Sequence, residues 1–206
     1  MKKSVIVFVG QGMADWEAGF AVAGLNSPGL FGVPEALYDV RYATTDGGPK
    51  RTMGGLTIQP DLALDDAQPA ESAMLILVGG AGWDEGQHGE AVDLAKRFLA
   101  AGVPVAAICG ATGGLARGGL LDQVAHTSNA AEYLQALGYK GAAHYRHDPA
   151  VTDGNIITAS TTAPVAFAQH IFKKLQMADP TVIDIWADLF TTGDAKHYAR
   201  LMEALG

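Results

Sequence analysis

The stretch Val103-Pro-Val-Ala-Ala-Ile-Cys109-Gly-Ala-Thr-Gly-Gly-Leu-Ala-Arg117-Gly-Gly-Leu-Leu-Asp122 decides the fold. Its first six residues, Val103 to Ile108, form a short apolar run that reads as a buried strand. The run ends at Cys109, the single cysteine of the chain, and a helical pattern follows through Leu115 and Arg117. A strand that turns at once into a helix forces its turn residue into a crowded conformation. Such a nucleophile elbow needs small residues two positions before and two after the turn. Ala107 and Ala111 occupy those positions. The helix start would aim unpaired N–H groups and a partial positive charge at the sulfur, which favours thiolate, the reactive form. A lone cysteine after an apolar run also fits a small buried hydrophobe. The flanking alanines and the switch at Cys109 itself favour the elbow.

Outward from this stretch, the chain shows the same alternation. Val5 to Val9 is another β-branched apolar run, the mark of a strand covered on both faces. It enters Gly10-Gln-Gly12 and then a helical pattern from Asp15 to about Leu25. Met74 to Val78 is a third buried run, entering Gly79-Gly-Ala-Gly-Trp-Asp84, and Gly89 to Ala101 fits a helix that Gly102 ends. Tyr38 to Thr44 reads as a strand, Met53 to Ile58 as a short hairpin or edge segment, and Ala142 to His147 as a short strand. Gly29 to Pro34 reads as loop and Asp61 to Asp66 as an exposed acidic segment. Ala130 to Leu137 looks helical, with Gly138 as its stop. Val151-Thr152 and Ile156 to Ala159 flank Asp153-Gly-Asn155 and read as a hairpin. Pro164 to Leu175 is an amphipathic helix, and Pro180 to Leu189 with Ala195 to Leu205 forms a helical tail. Buried strands alternating with helices predict an α/β fold with a mostly parallel central sheet. No repeat or linker divides residues 1–206, so one domain is expected.

Composition narrows the function. The 206 residues are 49% hydrophobic, enough for a sizeable core. The formal net charge is −8 and no basic run stands out, which argues against nucleic acid or an anionic membrane as partner. One cysteine excludes an internal disulfide and a cysteine-rich zinc site. Met1-Lys2-Lys3 with Ser4 to Val9 imitates a signal peptide, but the apolar stretch is too short and is read as the first strand. No segment is long enough to span a bilayer. A cytoplasmic protein is expected, and a free cysteine suits that reducing compartment.

Gly10-x-Gly12 after a strand invites a dinucleotide reading. The third glycine of that fingerprint falls on Asp15, and Asp15 with Glu17 would repel a pyrophosphate. No cofactor and no metal are therefore expected. Asp15 reads as a helix cap. Glu17 follows the first buried strand and Cys109 follows another, so both fall at the carboxyl edge of a parallel sheet, where α/β sites collect. Among the histidines, His88 and His197 lie in polar contexts that read as exposed, and His170 lies in the late amphipathic helix. His144 and His147 make a weak metal case, with His147 the one that would face a ligand. His126, just after the elbow helix, is the candidate base for Cys109, against the plainer reading of a structural or solvated loop residue.

Taken together, Gly79-Gly80-x-Gly82, Ala107-Ile108-Cys109-Gly110-Ala111, Gly119-Leu-Leu-Asp122 and Thr127-Ser-Asn129 resemble the ThiJ/PfpI superfamily. Glu17 in the first helix and Thr158-Ala-Ser160 before the late helix belong to the same resemblance, which runs from Ser4 to about Leu175. It implies a flavodoxin-like three-layer α/β sandwich, related to class I glutamine amidotransferase domains and usually dimeric. Its members include proteases, amidases, isonitrile hydratases, glyoxalase-like lyases, a deglycase and stress chaperones. By position it makes Cys109 the nucleophile, Glu17 the carboxylic acid bonded to the sulfur, and the N–H groups of Gly80 and Gly110 the oxyanion hole. Two departures stand out. Protease-type members carry histidine directly after the cysteine, where this chain has Gly110; others carry one where this chain has Asn129. The late histidine–glutamate pair of the amidotransferases is also missing. The resemblance thus implies a cysteine-dependent enzyme acting on a small carbonyl, amide or isonitrile-like substrate, with proteolysis disfavoured. The alternatives are a redox-sensing or protective stress protein with an oxidisable Cys109, and a binding domain without turnover.

Overall fold

The computed structural model describes residues 2–206. Strand β1 (Ser4–Phe8) leads into helix α1 (Asp15–Asn26), then β2 (Asp39–Thr44), the two-residue strands β3 (Lys50–Arg51), β4 (Thr57–Ile58) and β5 (Leu62–Ala63), and β6 (Ser72–Leu77). The short helix α2 (Ala81–Asp84) and α3 (Gly89–Ala100) follow, then β7 (Val105–Ile108), α4 (Gly110–Arg117) and α5 (Ala131–Gln135). The hairpin β8 (Ala150–Asp153) and β9 (Ile156–Ala159) precedes α6 (Pro164–Lys174), α7 (Pro180–Thr192) and α8 (Ala195–Leu205).

Seven strands form one sheet in the order β5-β2-β1-β6-β7-β9-β8, parallel throughout except for the β8–β9 hairpin. Alternate residues of β1 face opposite layers, as the pleat of a strand requires. Val5 and Val7 join the core formed with α1, α6, α7 and α8, while Ile6 and Phe8 join the core beneath α3 and α4. The result is the three-layer α/β sandwich expected from the alternating apolar runs. The chain leaves β1 to one side for β2 and returns to its other side for β6, so strand order reverses at β1. The loops after β1, β6 and β7 therefore open at the same edge, at a topological switch point. No helix among the described residues is long and apolar enough to cross a membrane.

Three local readings are corrected. Ala142 to His147 is not a strand but a 3-10 turn over Ala142–His144, followed by a single bridge between Tyr145 and His126. The sheet ends at β8, which pairs with β9 through a hairpin whose Gly154 has φ +54°. The acidic segment Asp61 to Asp66 is not wholly exposed: Leu62 and Ala63 extend the sheet and Leu64 is buried. Gly29 to Pro34 is not all loop: a 3-10 turn over Pro28–Phe31 overlaps its start and buries Phe31 against Phe172 and Trp186.

Helix α1 offers a paired test of this packing. Gly24 lies against the buried ring of Phe172, which a methyl group would overlap, whereas a methyl at Gly19 would meet nothing within 4 Å. Gly19→Ala gains about 1 kcal/mol of helix propensity. Gly24→Ala gains the same but meets an overpacking cost of about 1–3 kcal/mol, because Phe172 is wedged between Phe31 and Trp186. Thermal unfolding is expected to show Tm raised by roughly 2–4 °C in Gly19→Ala and lowered in Gly24→Ala. Equal shifts of the same sign would contradict the α1–α6 packing.

Candidate active site

Cys109 sits between β7 and α4 with φ +58° and ψ −128°, a conformation rarely adopted by residues other than glycine. Holding it costs on the order of 1–3 kcal/mol, and the surroundings supply the constraint. The Cys109 N–H donates to Ala159 O at 3.1 Å, and the Cys109 carbonyl accepts from Thr112 N at 3.0 Å and Thr112 Oγ1 at 2.6 Å. Thr112 in turn shares a 2.6 Å hydrogen bond with Ser128 Oγ. Ala107 and Ala111 are both fully buried, as the close passage of strand and helix requires.

Glu17, on the first turn of α1, is 0% exposed. Its Oε2 accepts from Gly79 N at 2.8 Å, and its Oε1 accepts from Thr161 Oγ1 at 2.7 Å. Gly79 separates it from the cysteine by very little. A Cβ on Gly79 would fall 2.7 Å from Cys109 Cβ and 3.1 Å from Sγ, and would overlap Glu17 Oε2. Only a bare backbone lets the carboxyl and the sulfur share this space.

Asn129 completes the group. Its Nδ2 donates to Cys109 Sγ at 3.3 Å, and its Oδ1 accepts from Thr161 N at 2.9 Å. The second bond fixes which end of the amide faces the sulfur. Thr161 thus holds Glu17 with its hydroxyl and Asn129 with its backbone, a pivotal position that the sequence did not single out. The N–H groups of Gly80 and Gly110 have no backbone partner among the described residues. Both positions are tightly packed. A Cβ at Gly80 would lie 2.9 Å from Gly12 O, and one at Gly110 would lie 3.0 Å from Trp83 Cβ.

The histidines fall elsewhere. His126 is fully buried, with Nδ1 on Val124 O at 2.8 Å and Nε2 on Tyr139 Oη at 3.0 Å. Both ring nitrogens are occupied, and the structure does not bring His126 to the sulfur. His88 is not exposed as expected. It packs edge-on against Phe8 and Trp83 at 5.2 and 5.0 Å, and burial lowers its pKa. His197 is also buried rather than exposed. Asp15 does lie in the first turn of α1, where its charge offsets the helix dipole, but it makes no capping hydrogen bond: its Oδ2 accepts from Gly54 N at 2.6 Å, tying the β3–β4 turn to α1. Against α4 at Gly113, Tyr133 Oη donates to Asp84 Oδ1 at 2.7 Å, and burial pushes its phenol up.

Electrostatics revise one expectation. Burial pushes the Cys109 thiol up; the Asn129 donor opposes this, and the negative charge of Glu17 adds to it. The helix start alone therefore does not make a thiolate. Burial also raises Glu17, against the pull of Thr161 and Gly79. The two acids titrate as a pair. With one proton between them, a raised thiol beside a charged Glu17 keeps it on the sulfur, and the carboxylate is placed to accept it.

Beside this group lies a cavity of about 930 Å³ with Asn129, Ser160 and Thr162 in one wall and Phe20, Phe190 and Thr191 in another. Tyr145 and His147 also border it.

A model of the DJ-1/PfpI family matches residues 3–174. A Bacillus subtilis protein named an uncharacterized protease, YoaZ, is 36% identical over 205 residues, covering 98% of each chain. The crystal structure of a ThiJ/PfpI family protein from Bacillus anthracis shares 38% identity and superposes with a TM-score of 0.91 over 98% of this chain and 97% of that one. A DJ-1 superfamily structure from Agrobacterium tumefaciens shares 35% identity with a TM-score of 0.82, over 94% and 99% of the two chains. The three-layer sandwich, the strained cysteine and these likenesses agree, and the chain belongs to the DJ-1/PfpI family.

Proposed function

We propose that the protein is a cysteine-dependent enzyme acting on a small carbonyl, amide or isonitrile-like compound, with Cys109 as nucleophile. The observation that carries this reading is the convergence on one sulfur of a strained elbow, a buried carboxyl and an oriented amide. A buried acid beside a nucleophile is expensive unless it has a use, and proton transfer is that use.

In the first step Glu17, its basicity raised by burial, takes the thiol proton as the sulfur attacks the electrophilic carbon. An S–C bond forms and the π electron pair moves onto the substrate oxygen or nitrogen. For a carbonyl, the developing oxyanion lies against the N–H groups of Gly80 and Gly110. Glu17 then gives its proton to the oxyanion or the leaving nitrogen. Asn129 holds the sulfur in line, and Thr161 holds Asn129 and Glu17 in register. His126 has no part in this scheme, because both its nitrogens are engaged elsewhere. Expelling a peptide amine demands more acid–base help than one partly shielded carboxyl gives, so small substrates are favoured over proteins. The same reading includes a homodimer, supported by the exposed Met53 and Leu56 on the β3–β4 turn. It assigns the cytoplasm, where a free thiol stays reduced.

Three outcomes are expected. A screen of aldehydes, amides and isonitriles should reveal turnover that falls to background in Cys109→Ser and drops by about 10²-fold or more in Glu17→Gln. Casein and fluorogenic peptides should stay intact. Cysteine-dependent peptide cleavage would overturn this reading. Second, the pH profile of Cys109 alkylation by iodoacetamide should rise at a pH above that of an ordinary thiol. Glu17→Gln removes the negative charge that raises the thiol, so its midpoint moves down. Asn129→Ala removes the donor that lowers it, so its midpoint moves up. Unmoved midpoints in both variants would separate these residues from the sulfur. Third, light scattering at micromolar concentration should report a dimer, and Leu56→Asp should lower the measured mass; a monomeric wild type would count against self-association.

A further inference from the structure

The helical tail contributes to the site although it lies outside the family match, which ends at residue 174. Helix α7 places Phe190 and Thr191 in the wall of the cavity beside Asn129. Its residues Trp186 and Phe190 also line a second cavity of about 370 Å³, together with Trp16, Phe20 and Leu30. Phe20 and Phe190 border both cavities and meet edge-on, with ring centroids 5.3 Å apart. The two spaces are thus neighbours across one aromatic pair. The second is lined only by apolar side chains and glycine. The first has no lysine or arginine in its wall and carries the carboxylates of Glu132 and Asp148, which disfavours an anionic substrate. Trp16 and Phe190 remain 49% and 48% exposed, an apolar surface left open next to the reactive end of the site.

We propose that this aromatic pair binds the apolar arm, aryl or alkyl, of the neutral substrate whose reactive carbon reaches Cys109. The proposal rests on the reading of Cys109 as nucleophile and names the substrate class: a compound with a small electrophilic head and an uncharged hydrophobic tail. Helix α7 is then the specificity wall of this chain. Phe20, inside the family match, and Phe190, outside it, supply the two faces. The Asn129 side of the cavity keeps the polar head at the sulfur.

The test uses two electrophiles with the same reactive group, iodoacetamide and N-benzyl-iodoacetamide, on the full-length protein. Cys109 alkylation is followed by mass spectrometry, and each rate is divided by that of N-acetylcysteine with the same reagent. A single methylene in an apolar pocket is worth about tenfold or more, so the benzyl reagent should be favoured by at least about tenfold. That preference should collapse in Phe190→Ala and in Phe20→Ala. Tyr198→Ala, an exposed change on α8 away from both cavities, should leave it intact. Phe190→Leu, which keeps apolar volume, guards against loss of fold and should retain part of the preference. Equal corrected rates in the wild type, or a preference untouched by both phenylalanine changes, would overturn the proposal. So would a fall in oligomer mass accompanying the lost preference, which would assign the pair to self-association. The two readings fail separately. A strong benzyl preference with no Cys109-dependent turnover of any aldehyde, amide or isonitrile would sink the enzyme and leave the apolar site. Turnover indifferent to the size of the apolar arm would do the reverse.

Discussion

One buried carboxyl ties the active edge of the sheet together. Glu17 arrives on the helix after β1, accepts a backbone N–H from the loop after β6 and a hydroxyl from the segment after β9, and lies against the cysteine that ends β7. Four strand ends are thus anchored to a single group. Burial of a carboxylate is costly unless its oxygens find donors or a proton. Here two donors are present and the pKa is still raised, so desolvation outweighs them. A group in that position holds its proton more readily than a surface glutamate. It also sits too close to the sulfur for both to ionise cheaply. The reactivity assigned to Cys109 is therefore a property of the pair, more than of the helix end on which the cysteine sits.

The missing histidine has a steric cause. A Cβ at residue 110 would already press on Trp83 Cβ at 3.0 Å and Gly80 O at 3.2 Å, so a side chain there needs α2 to give by a few tenths of an ångström. Trp83 is buried, with its Nε1 donating to Val78 O at 2.8 Å, and leaves no slack. At 129 the asparagine amide does something a neutral imidazole does in part: one end donates to the sulfur while the other is pinned by Thr161 N. The amide cannot take up a proton, however. Any proton moved in the reaction must come from or return to Glu17, water or the substrate itself.

Much of this was legible in the sequence because strands buried on both faces announce themselves. Val5–Val9, Met74–Val78 and Val103–Ile108 are continuous apolar runs, and each strand-end loop that follows carries its site residue within a few positions. Glu17, Gly80 and Cys109 could be placed on one edge for that reason alone. Thr161 could not. It is the middle residue of Ser160-Thr-Thr162, three hydroxyls that read alike until the turn into α6 selects one. His88 was misread for a related reason: polar neighbours in sequence say nothing of Phe8 and Trp83, which reach it from other elements. Asp15 looked like a cap because acidic residues at helix starts usually are. Its partner, Gly54 N, lies on a hairpin whose docking no local pattern encodes. His126 looked available because sequence distance is short, whereas its burial against Tyr139 depends on the turn at Gly138 and Gly141.

The same distinction between local and tertiary signals separates the reactive centre from its surroundings. Every group that touches the sulfur lies between residues 17 and 161, within the segment matched by the family model. That machinery needs sub-ångström placement, and strand ends with close-packed glycines supply it. The aromatic wall contributed by α7 needs only apolar area and rough shape. It is held by edge-on and tilted packing of Trp186 against Phe31, Phe172 and Phe20, contacts that tolerate exchange of one apolar ring for another far better than the Gly79 contact tolerates a methyl. Rigid backbone fixes Cys109, while a helix packed by apolar rings frames the rest of the cavity, so the cavity can be reshaped without disturbing the sulfur. On that physical ground, a change of ring in α7 would alter the cavity wall while leaving the contacts of Cys109 in place.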